Sequence, residues 1–238
     1  MATHLLFRDD AYLAETAAVV TGVTPEGGVI VDRTVFYATA GGQPGDKGVL
    51  VRADGSEIAL ATAVYGPDKA EIIHVPATAG GALPELGEQV TLRLDWPVRH
   101  QRMRMHTALH LLSVALPYPV TGGSIGESES RLDFDIPDAG LDKDEITAKV
   151  NAMIATGAAV TESWISDDEL DANPGLVKTM SVKPPRGSGR VRLVNIDGLD
   201  LQPCGGTHVR NVSEIGAVLV TKIEKKGQQN RRVRLAFA

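Results

Sequence analysis

The sequence predicts an α+β protein. A small N-terminal β-barrel-like domain spans residues 1–95, and an α/β domain with helices packed on an antiparallel sheet spans 96–238. Three observations carry this. Short apolar and β-branched runs separated by turn residues fill the first 95 positions, the pattern of a small barrel or sandwich. At Trp96 the apolar spacing changes to helical three- and four-residue steps. Beyond Pro119 strand-like runs mix with further helical segments, as expected of helices laid on a mostly antiparallel sheet.

The elements follow in order. Strands are expected at Thr16–Val23, Val29–Phe36, Gly48–Ala53, Glu57–Val64, Glu71–Val75 and Gln89–Leu94. Turn signals separate them at Pro25–Gly28, Gly41–Gly48, Asp54–Gly55, Gly66–Asp68 and Gly80–Gly81. Asp95 is a suitable cap and Pro97 a suitable first-turn residue for a helix over Trp96–Leu116. Val98, Met105, Leu109, Leu112 and Leu116 form its apolar stripe, and Pro117 and Pro119 end it. A turn at Thr121–Gly123 precedes a strand near Arg131–Ile136. A second helix over about 142–156 turns Ile146, Val150 and Met153 inward. Val160–Ile165 reads as a strand and Asp167–Asp171 as a helical turn. Arg190–Ile196, Ala217–Ile223 and Arg231–Phe237 complete the strands. No internal repeat or low-complexity tract interrupts them.

Composition narrows the functional classes. With 43 % hydrophobic and 23 % charged residues, the 238-residue chain can bury a core, which excludes wholesale disorder. No apolar run reaches the ~18 residues of a membrane span, and no signal peptide is visible at the N-terminus. The single cysteine, Cys204, permits no internal disulfide and suits a reducing cytosol. The net charge of −6 is unevenly spread. Residues 178–238 carry 12 basic and 4 acidic groups, and residues 1–177 carry 12 basic and 26 acidic. Such clustering suits phosphate binding even on an acidic protein; the alternative is a solvated face.

Two short motifs carry the chemistry. His106 and His110 stand one helical turn apart, so both imidazoles leave the same face. Cys204-Gly-Gly-Thr-His208 repeats the spacing across a loop whose glycines let thiolate and imidazole converge. Each pair has a bland alternative, a polar helical stripe or a buried free Cys beside a turn. Together they offer three imidazoles and one thiolate, a tetrahedral zinc set of one ion per chain. The residue after His106 is Thr107, so the His-Glu-x-x-His protease signature fails. No second Cys exists for a zinc ribbon. His4, His74 and His100 read as surface or core residues.

These residues resemble a known family, the free-standing alanyl-tRNA editing (AlaX) proteins and the editing domain of alanyl-tRNA synthetase. A more distant similarity is to the threonyl-tRNA synthetase editing domain. The resemblance rests on Asp32–Tyr37, Gly41–Gly48, Arg102–Leu112, Arg131–Phe134, Asp200–Val209, Glu214–Gly216 and Lys226–Arg232. It implies a trans-acting, ATP-independent, cytoplasmic hydrolase whose second domain is the zinc-binding editing (deacylase) domain. His106, His110, Cys204 and His208 would be the metal ligands and a zinc-bound water the catalytic group. The substrate would be tRNA(Ala) mischarged with Ser, or with Gly, and no obligate protein partner is evident. A synthetic pocket gains only ~1–3 kcal/mol from one small group, so a second hydrolytic sieve is needed. The synthetase domains carry Thr where this chain has Leu109, so contact with a serine hydroxyl differs here. Val212-Ser213 stands where Thr-Gly is common.

The substrate pocket is expected at Thr121, Gly123, Asp133 and Thr207. The tRNA phosphates are expected on Lys183, Arg186, Lys225, Lys226, Arg231 and Arg232. Two other function classes remain. A non-catalytic tRNA-binding module with structural zinc would keep every motif but hydrolyse nothing. A zinc hydrolase of small metabolites would leave the basic third idle. The Gly41-Gly42-Gln43 string is similar to the release-factor loop, but Pro44 restricts Gln43 and a β-turn is the reading taken.

Overall fold

The computed structural model describes residues 2–136, 140–180 and 189–238. They fall into two compact units, Met1–His100 and Gln101–Ala238.

In the first unit the strands are β1 (His4–Leu5), β2 (Glu15–Val23), β3 (Val29–Val31), β4 (Arg33–Thr34), β5 (Gly48–Arg52), β6 (Glu57–Tyr65), β7 (Ile72–Pro76) and β8 (Gln89–Leu94). Six of them close a barrel in the order β2–β3–β7–β6–β5–β8, antiparallel at every seam. Two-residue alternation turns Val20, Val29, Val31, Leu50, Leu60 and Leu92 into the barrel core. His74 is part of that core. Its ring lies 2.8 Å from the Thr34 hydroxyl and 3.1 Å from the Val29 carbonyl, and burial pushes its pKa down to about 4, so it is neutral.

The expected strand Val29–Phe36 is broken in two. The Asp32 carboxylate accepts the Val19 N–H at 2.7 Å, and the Asp32 N–H reaches the Val19 carbonyl at 3.0 Å. The chain turns there, and β4 pairs in parallel with β1 instead. Gly41 and Gly42 take φ of +56° and +84°, a two-residue turn that suits glycine. Ala40 and Gln43 exchange backbone hydrogen bonds across it at 3.2 and 2.9 Å, and Gln43 is buried. Past this turn lies a buried ion pair. Asp46 meets Arg99, whose guanidinium also donates to the Ala11 carbonyl at 3.0 Å and the Val35 carbonyl at 2.7 Å. The Tyr37 N–H reaches Asp46 at 2.6 Å, so the Gly-rich loop is locked to the start of the first helix.

That helix, α1 (Trp96–Ala115), is followed by β9 (Val120–Ser124), β10 (Glu129–Asp135), α2 (Lys143–Ala155), β11 (Val160–Ser166), α3 (Asp167–Ala172), β12 (Arg190–Ile196), β13 (Asp200–Pro203), β14 (Val218–Lys225) and β15 (Asn230–Phe237). Asp95 caps α1 through the Val98 N–H at 3.3 Å. From Arg102 to Ser113 every α1 residue but Arg104 is buried, so the helix is enclosed on all sides rather than along one stripe. The antiparallel strands form two sheets, β14–β15–β10–β9 and β11–β12–β13. Asp142 caps α2, and Ile146, Val150 and Ile154 are its buried row. Met153, expected inward, is only half-buried because the four-residue row passes through Ile154. Asn151 fixes α2 to β14 by bonding both the carbonyl and the N–H of Val218, at 2.8 and 3.0 Å.

Thr121–Gly123 is not the expected turn but lies within β9, paired with β10. Gly123 serves close packing instead, since a Cβ there would sit 3.0 Å from the Leu132 side chain.

Candidate metal centre

α1 and the loop after β13 bring the four sequence-predicted donors together. His106, His110, Cys204 and His208 place one ligand atom each within 4.8 Å of one another. The Cys204 Sγ lies 3.4 Å from His106 Nε2 and 3.3 Å from His208 Nε2. A tetrahedral site with ordinary zinc–nitrogen and zinc–sulfur bonds has donor–donor edges of roughly 3.3–3.8 Å. All three imidazoles are buried.

The outer groups decide which nitrogen faces the cluster. Thr107 Oγ1 donates to the Met103 carbonyl at 2.9 Å, so it accepts from His208 Nδ1–H at 3.1 Å. That leaves His208 Nε2 with its lone pair toward Cys204. Asp200 Oδ2 accepts from His110 Nδ1–H at 3.0 Å and from Gln202 Nε2 at 2.6 Å. Asp200 Oδ1 accepts from Lys178 Nζ at 2.5 Å. The cradle is thus built from side chains as well as donors.

The electrostatics fit a cation. Burial opposes an ionised Asp200, but the bonds from His110, Lys178 and Gln202 prevail and hold its pKa at about 2. Burial likewise opposes a Cys204 thiolate, yet the neighbouring His106 and His208 hold the thiol well below its ordinary value. Burial, with His106 adding to it, pushes His208 well below its ordinary value. Burial disfavours a charged His110, but Asp200 and Cys204 raise it to about 9; metal binding there releases a proton. A thiolate and imidazole lone pairs are the donor forms a soft-to-borderline dication takes.

Arg192 orders the loop that carries Cys204 and His208. Its buried guanidinium donates to the Cys204 carbonyl at 2.9 Å and the Gly206 carbonyl at 2.8 Å. Its other edge pairs with Glu162. Asp200, Gln202, Lys178, Thr107 and Arg192 were not singled out as site residues from the sequence. One signal was available: Asp200, Gln202 and Cys204 alternate, as residues on one face of a strand do.

The other expected site residues are placed as follows. Thr121, Gly123 and Asp133 lie together on β9 and β10. Thr121 donates to the Asp133 carbonyl at 3.1 Å and accepts from Asn230 at 2.9 Å. Asp133 is held by Arg232 at 2.8 and 2.9 Å and by Arg131 at 2.5 Å. Thr207 is fully buried beside His208. Lys225 and Lys226 are exposed at the end of the β14–β15 hairpin, and Arg231 and Arg232 are half-buried. Glu224 bonds Arg234 at 2.6 Å and lies 3.6 Å from Lys226, so part of the hairpin's positive charge is balanced. Lys183 and Arg186 lie outside the described residues.

Fold and site define a class: a six-stranded barrel followed by an α+β unit whose His-x-x-x-His helix faces a Cys-x-x-x-His loop. Comparison with known proteins gives the family. Residues 191–234 match the threonyl and alanyl tRNA synthetase second additional domain, and residues 4–98 match class II (A) tRNA synthetases. The alanyl-tRNA editing protein AlaX-M of Methanosarcina acetivorans is 35 % identical, with 97 % of both chains covered. AlaX-M of Saccharolobus solfataricus is 33 % identical, again with 97 % of both covered. The alanine–tRNA ligase of Pyrobaculum arsenaticum is 32 % identical over 94 % of this chain but only 25 % of its own length. The chain belongs to the alanyl-tRNA editing protein (AlaX) family.

Proposed function

We propose that this chain is a trans-acting, zinc-dependent deacylase that hydrolyses mischarged tRNA(Ala). Its chief substrate is Ser-tRNA(Ala), with Gly-tRNA(Ala) as the second. The observation that carries this is the four-donor cluster, oriented by Asp200 and Thr107, in a chain alike over nearly its full length to proteins named for alanyl-tRNA editing. Zinc suits three imidazoles and a thiolate, and when bound it supplies Lewis-acid character and lowers the pKa of a water it holds.

The chain's own residues supply the rest. Arg192 keeps the Gly-Gly loop closed by gripping two of its carbonyls, which presents Cys204 and His208 to α1. Thr121, Gly123, Asp133 and Thr207 are the proposed amino-acid contacts. Burial opposes ionisation of Asp133, but its bonds to Arg232 and Arg131 prevail and lower its pKa, so the group is a carboxylate, the form that attracts an α-ammonium group. Lys225 and Lys226, with Arg231 and Arg232 behind them, are proposed for the tRNA phosphates, which such contacts bind without reading sequence. Ester hydrolysis needs no ATP, and we place the reaction in the cytoplasm, with its tRNA. Among the described residues no helix is long and apolar enough to cross a membrane.

One observation favours a second reading. Four protein donors fill a tetrahedral site, as in structural zinc centres, which suits a tRNA-binding module without catalysis. Mixing the protein with seryl-, glycyl- and alanyl-tRNA(Ala) separates the two. The deacylase releases serine, and glycine, while sparing alanine; the binding module shifts tRNA in a gel and releases nothing.

A further inference from the structure

We propose that Trp164, with the Arg190 guanidinium over its ring, is the stacking platform for the 3′-terminal adenosine of the bound tRNA. This rests on the deacylase reading for the identity of the RNA, and it concerns residues outside the metal cluster.

The sheet register supplies the placement. Trp164 on β11 stands directly opposite Arg192 on β12. The Cys204 N–H continues the β12–β13 ladder onto the Arg192 carbonyl at 3.1 Å. Cys204, Arg192 and Trp164 therefore lie in one row across neighbouring strands. Two strand spacings put the Trp164 backbone about 10 Å from that of Cys204. Alternation puts Trp164 on the same face as Arg192, Gln202 and Asp200. That face is the one turned toward α1, since Asp200 bonds His110 across the gap.

Chemistry then selects the occupant. Trp164 is 42 % exposed, on an edge strand whose residues 161–163 are all polar and exposed. An indole open at a sheet margin beside a metal cluster offers a π-face to a flat ligand. The Arg190 guanidinium carbon lies 5.5 Å from the ring centroid, so the platform carries positive charge of the kind that accompanies base stacking and meets a phosphate. In an aminoacyl-tRNA the ester and the terminal base are joined through a single ribose. An ester held at the cluster places that base one nucleoside length away, a reach comparable with the span of the row that ends at Trp164. A second protein chain would instead need an apolar surface around the indole, and on its own face Trp164 is flanked along β11 by Glu162 and Ser166 and on β12 by Arg190 and Arg192.

The test uses the two tryptophans. In a Trp96→Phe protein the only indole is Trp164. Its fluorescence is followed while uncharged tRNA(Ala) is added, either complete or lacking the 3′-terminal adenosine, with binding of both checked by gel shift. The complete tRNA should quench the indole and the truncated one should not. Separately, Trp164→Ala should raise KM for Ser-tRNA(Ala) about tenfold while kcat stays within about twofold, and Trp164→Phe should restore most of the loss. Equal quenching by both RNAs, no quenching by either, or an unchanged KM overturns the proposal. Adenosine-dependent quenching without hydrolysis of any charged tRNA would overturn the deacylase reading and leave this one standing.

Discussion

Replacing Asp200 by Asn tests whether the groups behind the ligands set the metal affinity. The Asp200 side chain is fully buried. It accepts hydrogen bonds from His110 Nδ1, Gln202 Nε2 and Lys178 Nζ. Asparagine keeps the shape but removes the charge, and its NH₂ faces donors. His110 then has less reason to hold its proton on Nδ1, and Lys178 loses its counter-ion. Loss of such an outer partner weakens metal binding about 10–100-fold, or about 1.4–2.7 kcal/mol. With the NH₂ on the His110 side, the two bonds to Oδ2 are lost at a buried position while the remaining oxygen still accepts from Lys178, so the upper half of that range is expected. Zinc affinity is measured near neutral pH by competition with a chromophoric chelator. Asp200, with a pKa of about 2, is ionised throughout. Asp197→Asn, which removes an exposed carboxylate three residues away, is the control for net charge. An unchanged affinity in Asp200→Asn, or an equal loss in Asp197→Asn, refutes the reasoning.

Three further outcomes are expected. His74 has a folded pKa of about 4 against an ordinary 6.5. The unfolded chain therefore takes up a proton that the barrel refuses, and stability falls as pH drops from 6.5 toward 4, by up to about 3 kcal/mol. Urea melts across that range should show the slope in the native protein and lose it in His74→Gln; identical slopes would remove His74 as the cause. Lys225→Glu with Lys226→Glu should weaken tRNA binding and flatten its log–log salt dependence by about two, whereas an unaltered slope places the phosphates elsewhere. Thr121→Val should change the preference for seryl over glycyl substrate more than the affinity for tRNA, and unchanged selectivity removes Thr121 from the pocket.

What was legible in the sequence was local. His106 and His110 needed only the helical repeat, and Cys204 and His208 only the Gly-Gly loop. The barrel strands followed from alternation and turn residues. What was hidden depends on partners far apart in the chain. His110 meets Asp200 across 90 positions and His208 meets Thr107 across 101, and no local pattern announces either. β13 was missed because Asp200–Pro203 is short and turns polar side chains toward buried ligands rather than toward solvent. Gly122-Gly123 reads as a turn because glycine's usual role is conformational, whereas here Gly123 makes room for Leu132. The pairing of Asp133 with Arg232, 99 positions apart, is likewise invisible to any local pattern. They are cross-strand partners in register, and each fixes the other.

Zinc dependence of the hydrolysis is the central claim, and a titration addresses it directly. Protein stripped of metal by chelation and returned to buffer is given increasing zinc, and the deacylation rate on Ser-tRNA(Ala) is read at each step. The account predicts negligible rate without metal, a linear rise, and a plateau at about one zinc per chain, as four donors of one site require. Full activity in the metal-free protein would contradict it.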